Sequence, residues 1–250
     1  MYNNNFNFNE GAFLNSTKKR LPICFCLDVS GSMLAPTANG TTRIQELNQS
    51  FSSFIHAMQS YPEVAASADI SVITFGGDVQ ILNAFAPLSN FRPAEIKVNE
   101  HSLTPMGEGI NAALKLLEVR KQAYRSRGIK YHQPWLVVLT DGEVTGNQAT
   151  VEYNKACAAV NDLEMNKKLV VFNAGIGDET NYTLLKRLSR KRSEPIKIGY
   201  TDLNRFFEFL GSSSTAIVNN GDVDAIVYGN PDSPVSYGQA IDLDNSIWER

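Results

Sequence analysis

Five oxygen-bearing side chains stand where a hard cation could be held: Asp28, Ser30 and Ser32 in the run DVSGSM, Thr104 in LTPMGEG, and Asp141 in LTDGE. Asp28, Ser30 and Ser32 alternate along the chain, and Gly31 between the serines permits a tight turn. With no His or Cys in the set, the donors suit Mg²⁺, with Mn²⁺ or Ca²⁺ as alternatives, and argue against zinc or copper. Neutral hydroxyls as direct ligands neutralise a divalent ion poorly, and Mg²⁺ in an octahedron, with three hydroxyls and two carboxylates of which some act through water, keeps a position open to an outside ligand. The expected outside ligand is anionic, a Glu or Asp carboxylate on another protein. A lone serine after a strand is ordinarily a turn or cap former, so the weight rests on all five together.

The elements around these residues must bring them to one place. Residues 21–27 form an unbroken apolar run that stops at Asp28, the pattern of a strand buried on both faces. Thr41 and Thr42 can cap a following helix whose apolar residues Ile44, Leu47, Phe51, Phe54, Ile55 and Met58 recur at helical spacing and which ends before Pro62. Runs 70–75 and 79–85, separated by Gly76, Gly77 and Asp78, predict a hairpin and therefore one antiparallel strand. A helix from near Met106 carries Arg120, Lys121 and Arg125 towards its end, where cations suit the dipole, and 135–140 is a second buried strand ending at Asp141.

Further alternation is expected: a helix over 148–165, a strand over 169–174, a helix over 179–188, a strand over 196–199 and a helix over 204–210. Strands alternating with helices of this length predict a doubly wound α/β sheet, mostly parallel, with one antiparallel edge strand and helices on both faces. Ligands in such sheets sit at the carboxyl ends of the strands, which is where Asp28 and Asp141 fall.

Together the three motifs resemble the metal-ion-dependent adhesion site of von Willebrand factor A domains, with no departure at any of the five positions. That resemblance implies direct contact of Ser30, Ser32 and Thr104 with the metal, and contact largely through water for Asp28 and Asp141. It spans 21–218, giving an N-terminal extension over 1–20 and an irregular, acidic tail over 219–250. Within the family, ISVITFGGDV, WLVVLTDGE, VVFNAGIGDE and FFEFLGSSS look most like the bacterial TerY-like branch associated with tellurite resistance and stress responses. The branch implies a protein kinase or a PP2C-type phosphatase as neighbours, and hence a signalling scaffold.

Composition limits the other classes of function. The 250 residues are 43% hydrophobic and 20% charged with a formal net charge of −3, and the isoelectric point is near 5.7. This is an ordinary globular balance with no basic excess for nucleic acid or an anionic membrane. The one basic run, Lys186, Arg187, Arg190, Lys191 and Arg192, is interleaved with leucines and reads as a solvated helix face. Cys24, Cys26 and Cys157 indicate buried small hydrophobes rather than a disulfide framework, and no apolar stretch reaches a membrane span, so the expected location is the cytoplasm. Glu108, Glu143 and His101 lie near the motifs in sequence; Glu108 and His101 are expected to be a helix-start acid and a loop histidine, and Glu143 either orients a metal-bound water or faces solvent.

No enzyme is expected. A Mg²⁺-dependent phosphohydrolase is the alternative, but Asp28 is followed by Val29 and Ser30 where a second acid would help, and no GxSxG elbow, HExxH helix or P-loop is present. A structural subunit whose metal is capped in cis by a tail acid such as Asp222 or Asp244 is the other alternative.

Overall fold

A computed structural model describes residues 18–99, 103–142, 145, 149–191, 194–199 and 202–220. Glu143, His101, Arg192, the tail from 221 and the extension up to residue 17 lie outside the described residues. Six strands, β1 (Leu21–Asp28), β2 (Ala68–Gly76), β3 (Asp78–Pro87), β4 (Trp135–Thr140), β5 (Val170–Ile176) and β6 (Ile196–Ile198), form one sheet. Their order is β3-β2-β1-β4-β5-β6, and every pairing is parallel except that of β2 with β3. This is the doubly wound α/β architecture expected, with its antiparallel strand at one edge. The chain winds outward from β1 in one direction and from β4 in the other, so the switch point lies between these two strands.

Six helices cover the sheet: α1 (Arg43–Gln59), α2 (Pro62–Ser67), α3 (Met106–Ser126), α4 (Ala149–Met165), α5 (Tyr182–Leu185) and α6 (Leu203–Asn220). Strand alternation divides their partners. Ile23, Phe25 and Leu27 of β1, with Val137 and Phe172, pack under α1, α2 and α6. Cys24, Cys26, Leu136, Val138 and Val171 pack under α3, α4 and α5. Phe25 meets Phe51 edge-on with centroids 5.0 Å apart, and Phe207 lies 5.3 Å from Phe54, an aromatic cluster that holds α1 and α6 on the central strand. All three cysteines are buried free thiols, and burial pushes the Cys24 thiol up to about 12. No described helix is long and apolar enough to cross a membrane.

Three elements differ from the sequence expectation. Pro62 does not merely end the first helix; it opens α2 at a first-turn position, where its missing N–H costs nothing. The helix expected over 179–188 narrows to α5, because Arg187 N and Leu188 N bond three residues back, to Leu184 O and Leu185 O; the leucine spacing reported burial, not a continuous α-helix. The helix expected to end at Leu210 runs to Asn220. Gly211 and the serines that follow are poor helix formers, but Ser214 and Thr215 hydroxyls donate to carbonyls four residues back, and Ala216 and Ile217 are buried.

Arg120 also departs from expectation. It does not serve the α3 dipole from solvent; it is 1% exposed, with its guanidinium 3.0 Å from Asp69. Asp69, itself fully buried, also takes Arg20 and the Tyr124 hydroxyl. The cluster ties the starts of β1 and β2 to the end of α3, at the opposite end of the sheet from Asp28.

Candidate metal centre

Strand register sets the site. Leu27 of β1 pairs with Leu139 of β4, so the next residues, Asp28 and Thr140, leave the sheet side by side at its switch point. Thr140 donates its hydroxyl to Asp28 Oδ2, and Ser30 N donates to Asp28 Oδ1 at 2.9 Å. Both carboxylate oxygens of Asp28 are thus engaged, and the residue is 1% exposed. The loop then turns through a 3-10 segment, Gly31–Leu34, which places Ser30 Oγ 3.0 Å from Ser32 Oγ. Ser32 Oγ donates to Asp141 Oδ1 at 2.7 Å.

Thr104 is buried on the approach to α3. Its N–H donates to Thr145 Oγ1 at 2.7 Å, and Leu103 O accepts from Gly77 N, so the hairpin and the segment before α4 fix it from both sides. A Cβ placed on Gly142 would lie 3.7 Å from Asp28 Oδ2, 3.8 Å from Ser32 Oγ and 4.0 Å from Thr104 Oγ1. Oxygens of two separate segments, β1 with the loop after it and the approach to α3, therefore face the glycine that follows Asp141. The structure brings all five sequence-derived residues to this one edge.

The donor set fits a hard divalent ion. Edges of a Mg²⁺ octahedron with bonds of about 2.1 Å are about 3 Å long, and the Ser30 to Ser32 oxygen spacing of 3.0 Å suits such an edge, while the 2.7 Å contact of Ser32 with Asp141 is a hydrogen bond. Among the described residues no three His, Cys, Asp or Glu side chains converge on a point that could hold a metal, at this edge or elsewhere; the donors gathered here are two carboxylates and three hydroxyls.

Three contributors, Arg43, Thr140 and Gly76, were not singled out in the motifs. Arg43, the first residue of α1, is 7% exposed and reaches over the site, with Nη1 2.7 Å from Asp141 Oδ2 and Nη2 3.2 Å from Glu179 Oε2. Thr140 holds Asp28, as described. Gly76 was expected only as a hairpin residue, yet the turn itself is made by Gly77 at φ +71°. A Cβ on Gly76 would come within 2.6 Å of the Val29 carbonyl carbon and 2.7 Å of Ser30 N, so β2 can press against the serine loop only as glycine. Glu108 carries a buried Oε2 with no hydrogen-bond partner; it is a first-turn acid of α3, as its position suggested.

Electrostatics follow from the crowding. Burial, and then the neighbouring Asp141 carboxylate, raise the Asp28 pKa to about 6. Between about pH 6 and about pH 4 the folded chain holds a proton on Asp28 that the unfolded chain has released, so stability rises as pH falls through this window and levels off below it. A carboxyl held this far above its ordinary range corresponds to a gain on the order of 2–3 kcal/mol in the metal-free chain. Thermal unfolding in chelator from pH 7 to pH 4 should show this rise in the wild type and a flattened profile in Asp28→Asn. Equal profiles in the two proteins would refute the assignment to Asp28.

Comparison with known proteins agrees with this fold. The model of the von Willebrand factor type A domain matches residues 23–209, well over half of the chain. The chain belongs to the von Willebrand factor type A family. Domains of this family are commonly interaction modules and commonly bind a divalent ion at such a strand-end motif. Among solved structures, proximal thread matrix protein 1 from the mussel byssus is similar at 16% identity and a TM-score of 0.52, over 78% of this chain and 46% of that one. The PilB minor pilin of Streptococcus sanguinis is similar at 12% identity and TM-score 0.55, over 79% and 61%. A von Willebrand factor type A protein from Catenulispora acidiphila is similar at 12% identity and TM-score 0.52, over 79% and 43%. At these identities the likeness is one of fold, and the chain spans less than half the length of the first and third of these structures and about three fifths of the second. No curated protein sequence matches the chain.

Proposed function

We propose that this von Willebrand factor A domain is a non-enzymatic, Mg²⁺-dependent protein-binding module that recognises an acidic residue of a partner. The observation that carries the reading is the convergence of Ser30, Ser32, Thr104, Asp28 and Asp141 on one edge of the sheet. Asp28 and Asp141 bring the negative charge, the hydroxyls of Ser30, Ser32 and Thr104 are the direct donors, and Thr140 holds Asp28 in place. A bound divalent ion supplies a coordination position open to a carboxylate from outside. Leu34 and Leu103, 48% and 47% exposed beside Ser32 and Thr104 in sequence, offer apolar contact next to that position.

The geometry disfavours hydrolysis. An aspartyl nucleophile must be free to attack, whereas both Asp28 oxygens are hydrogen-bonded and buried. Arg43 is the cation that phosphoryl transfer would want, but it is engaged by Asp141 and Glu179. The motifs shared with the TerY-like branch support a place in a bacterial stress-response or tellurite-resistance complex in the cytoplasm, with a protein kinase or PP2C-type phosphatase as partner.

Immobilised full-length chain, exposed to native lysate in Mg²⁺ and in chelator, tests the reading. Proteins retained in Mg²⁺ should be released by chelator, should not bind Ser32→Ala, and should lose binding when one acidic residue of the purified partner is neutralised. Equal retention in chelator and by Ser32→Ala would contradict it.

A further inference from the structure

The first turn of a helix is the wrong place for a cation, since the exposed N–H groups and the helix dipole are positive there. Arg43 nevertheless opens α1 and is almost fully buried. Nothing in the helix accounts for it: the N-terminus is already served by a capping box in which Thr42 and Gln45 exchange hydrogen bonds. What accounts for it is the metal site. Its Nη1 pairs with the buried Asp141 at 2.7 Å, its Nη2 reaches the largely exposed Glu179 at 3.2 Å, and its own N–H donates to Ala35 O, directly behind the serine loop.

Asp141 is therefore split between two claims. Its Oδ1 accepts from Ser32, inside the donor set, while its Oδ2 is held by Arg43. We infer that Arg43 is a resident counter-cation of the site, competing with the divalent ion for Asp141 and setting how tightly that ion is held. The inference rests on the reading of this edge as a metal site. Without the ion, Arg43 compensates one of two adjacent buried carboxylates and keeps the loop assembled. With a divalent ion present, the buried Asp28 and Asp141 offset only the ion, and Arg43 is left with the exposed, solvent-screened Glu179, so the buried pocket favours an external carboxylate. Arg43 thus weakens the ion's hold and strengthens the requirement for an acidic partner. Glu179, exposed and on the loop after β5, offers the guanidinium a second anchor when Asp141 turns to the ion.

Calorimetric titration of the full chain with Mn²⁺ alone tests this, using wild type, Arg43→Gln and Arg43→Lys. Removing a unit charge this close to the site in a partly buried setting should tighten Mn²⁺ binding by about tenfold or more in Arg43→Gln, whereas Arg43→Lys, which keeps the charge, should stay close to wild type. The melting temperature in chelator should fall in Arg43→Gln and the rise on adding Mn²⁺ should be larger than in wild type. If Arg43→Gln is unfolded in chelator, Mn²⁺ should restore its circular dichroism spectrum; failure to do so counts against the inference. Unchanged or weaker Mn²⁺ binding in Arg43→Gln overturns the role of Arg43 while leaving the metal site intact. Absence of Mn²⁺ binding in every protein, wild type included, overturns the metal-site reading itself and this inference with it.

Discussion

Asp141→Ala should reduce Mn²⁺ or Mg²⁺ affinity by at least about a hundredfold and, unlike an ordinary ligand deletion, should also destabilise the metal-free chain. The first effect follows from removing one of only two carboxylates in a donor set otherwise made of neutral hydroxyls. The second follows from Arg43, whose buried guanidinium keeps the exposed Glu179 but loses its 2.7 Å partner. Breaking a buried pair from one side costs about 3–5 kcal/mol when no other anion remains; with Glu179 still in reach, about 1–3 kcal/mol is expected. Ser32→Ala is the comparison: it removes a metal donor and one hydrogen bond to Asp141 but leaves the Arg43 to Asp141 pair in place. Titration calorimetry and urea unfolding in chelator measure both. If Asp141→Ala bound the ion as the wild type does, the ion would sit elsewhere.

The second large effect is expected far from the site. Asp69→Asn should cost about 3–5 kcal/mol of stability, because Asp69 is the buried carboxylate shared by Arg20 and Arg120. The Tyr124 hydroxyl also donates to it, and burial together with this carboxylate holds the Tyr124 pKa well above its usual range. A large fall in the urea midpoint with unchanged Mn²⁺ affinity is the expected pattern, and pairing Asp69→Asn with Arg120→Met should recover part of the loss by removing one of the two stranded cations. A loss below about 1 kcal/mol would mean that the cluster is not a fastening of the sheet to α3.

These two clusters show where sequence reading succeeds and where it stops. Unbroken apolar strands and the period of α1 make the layers of the fold readable, because burial imposes local patterns. The five oxygen residues are readable for a related reason: each sits at a strand end or helix start that local pattern locates. Arg43 and Arg120 are not. The partner that explains each, Asp141 for Arg43 and Asp69 for Arg120, is brought against it from a distant segment by the sheet, and no local pattern names that partner. Arg120 even satisfied a local rule, a cation near a helix end, that was not the reason for its presence. Gly76 is similar, since its need for a bare Cα comes from the Val29 to Ser30 backbone of a neighbouring strand end and not from its own turn. The irregular α5 and the long α6 mark a further limit, where local propensity gave way to tertiary packing.

The central claim, that Asp28, Ser30, Ser32, Thr104 and Asp141 enclose one divalent ion open to an outside ligand, is tested most directly by an anomalous difference map from crystals of the full chain grown with Mn²⁺. A single peak is expected, bonded at about 2 Å to the Ser30 and Ser32 hydroxyls, with at least one coordination position filled by water or a neighbouring carboxylate. No peak at millimolar Mn²⁺, or a peak that avoids both serines, would contradict it.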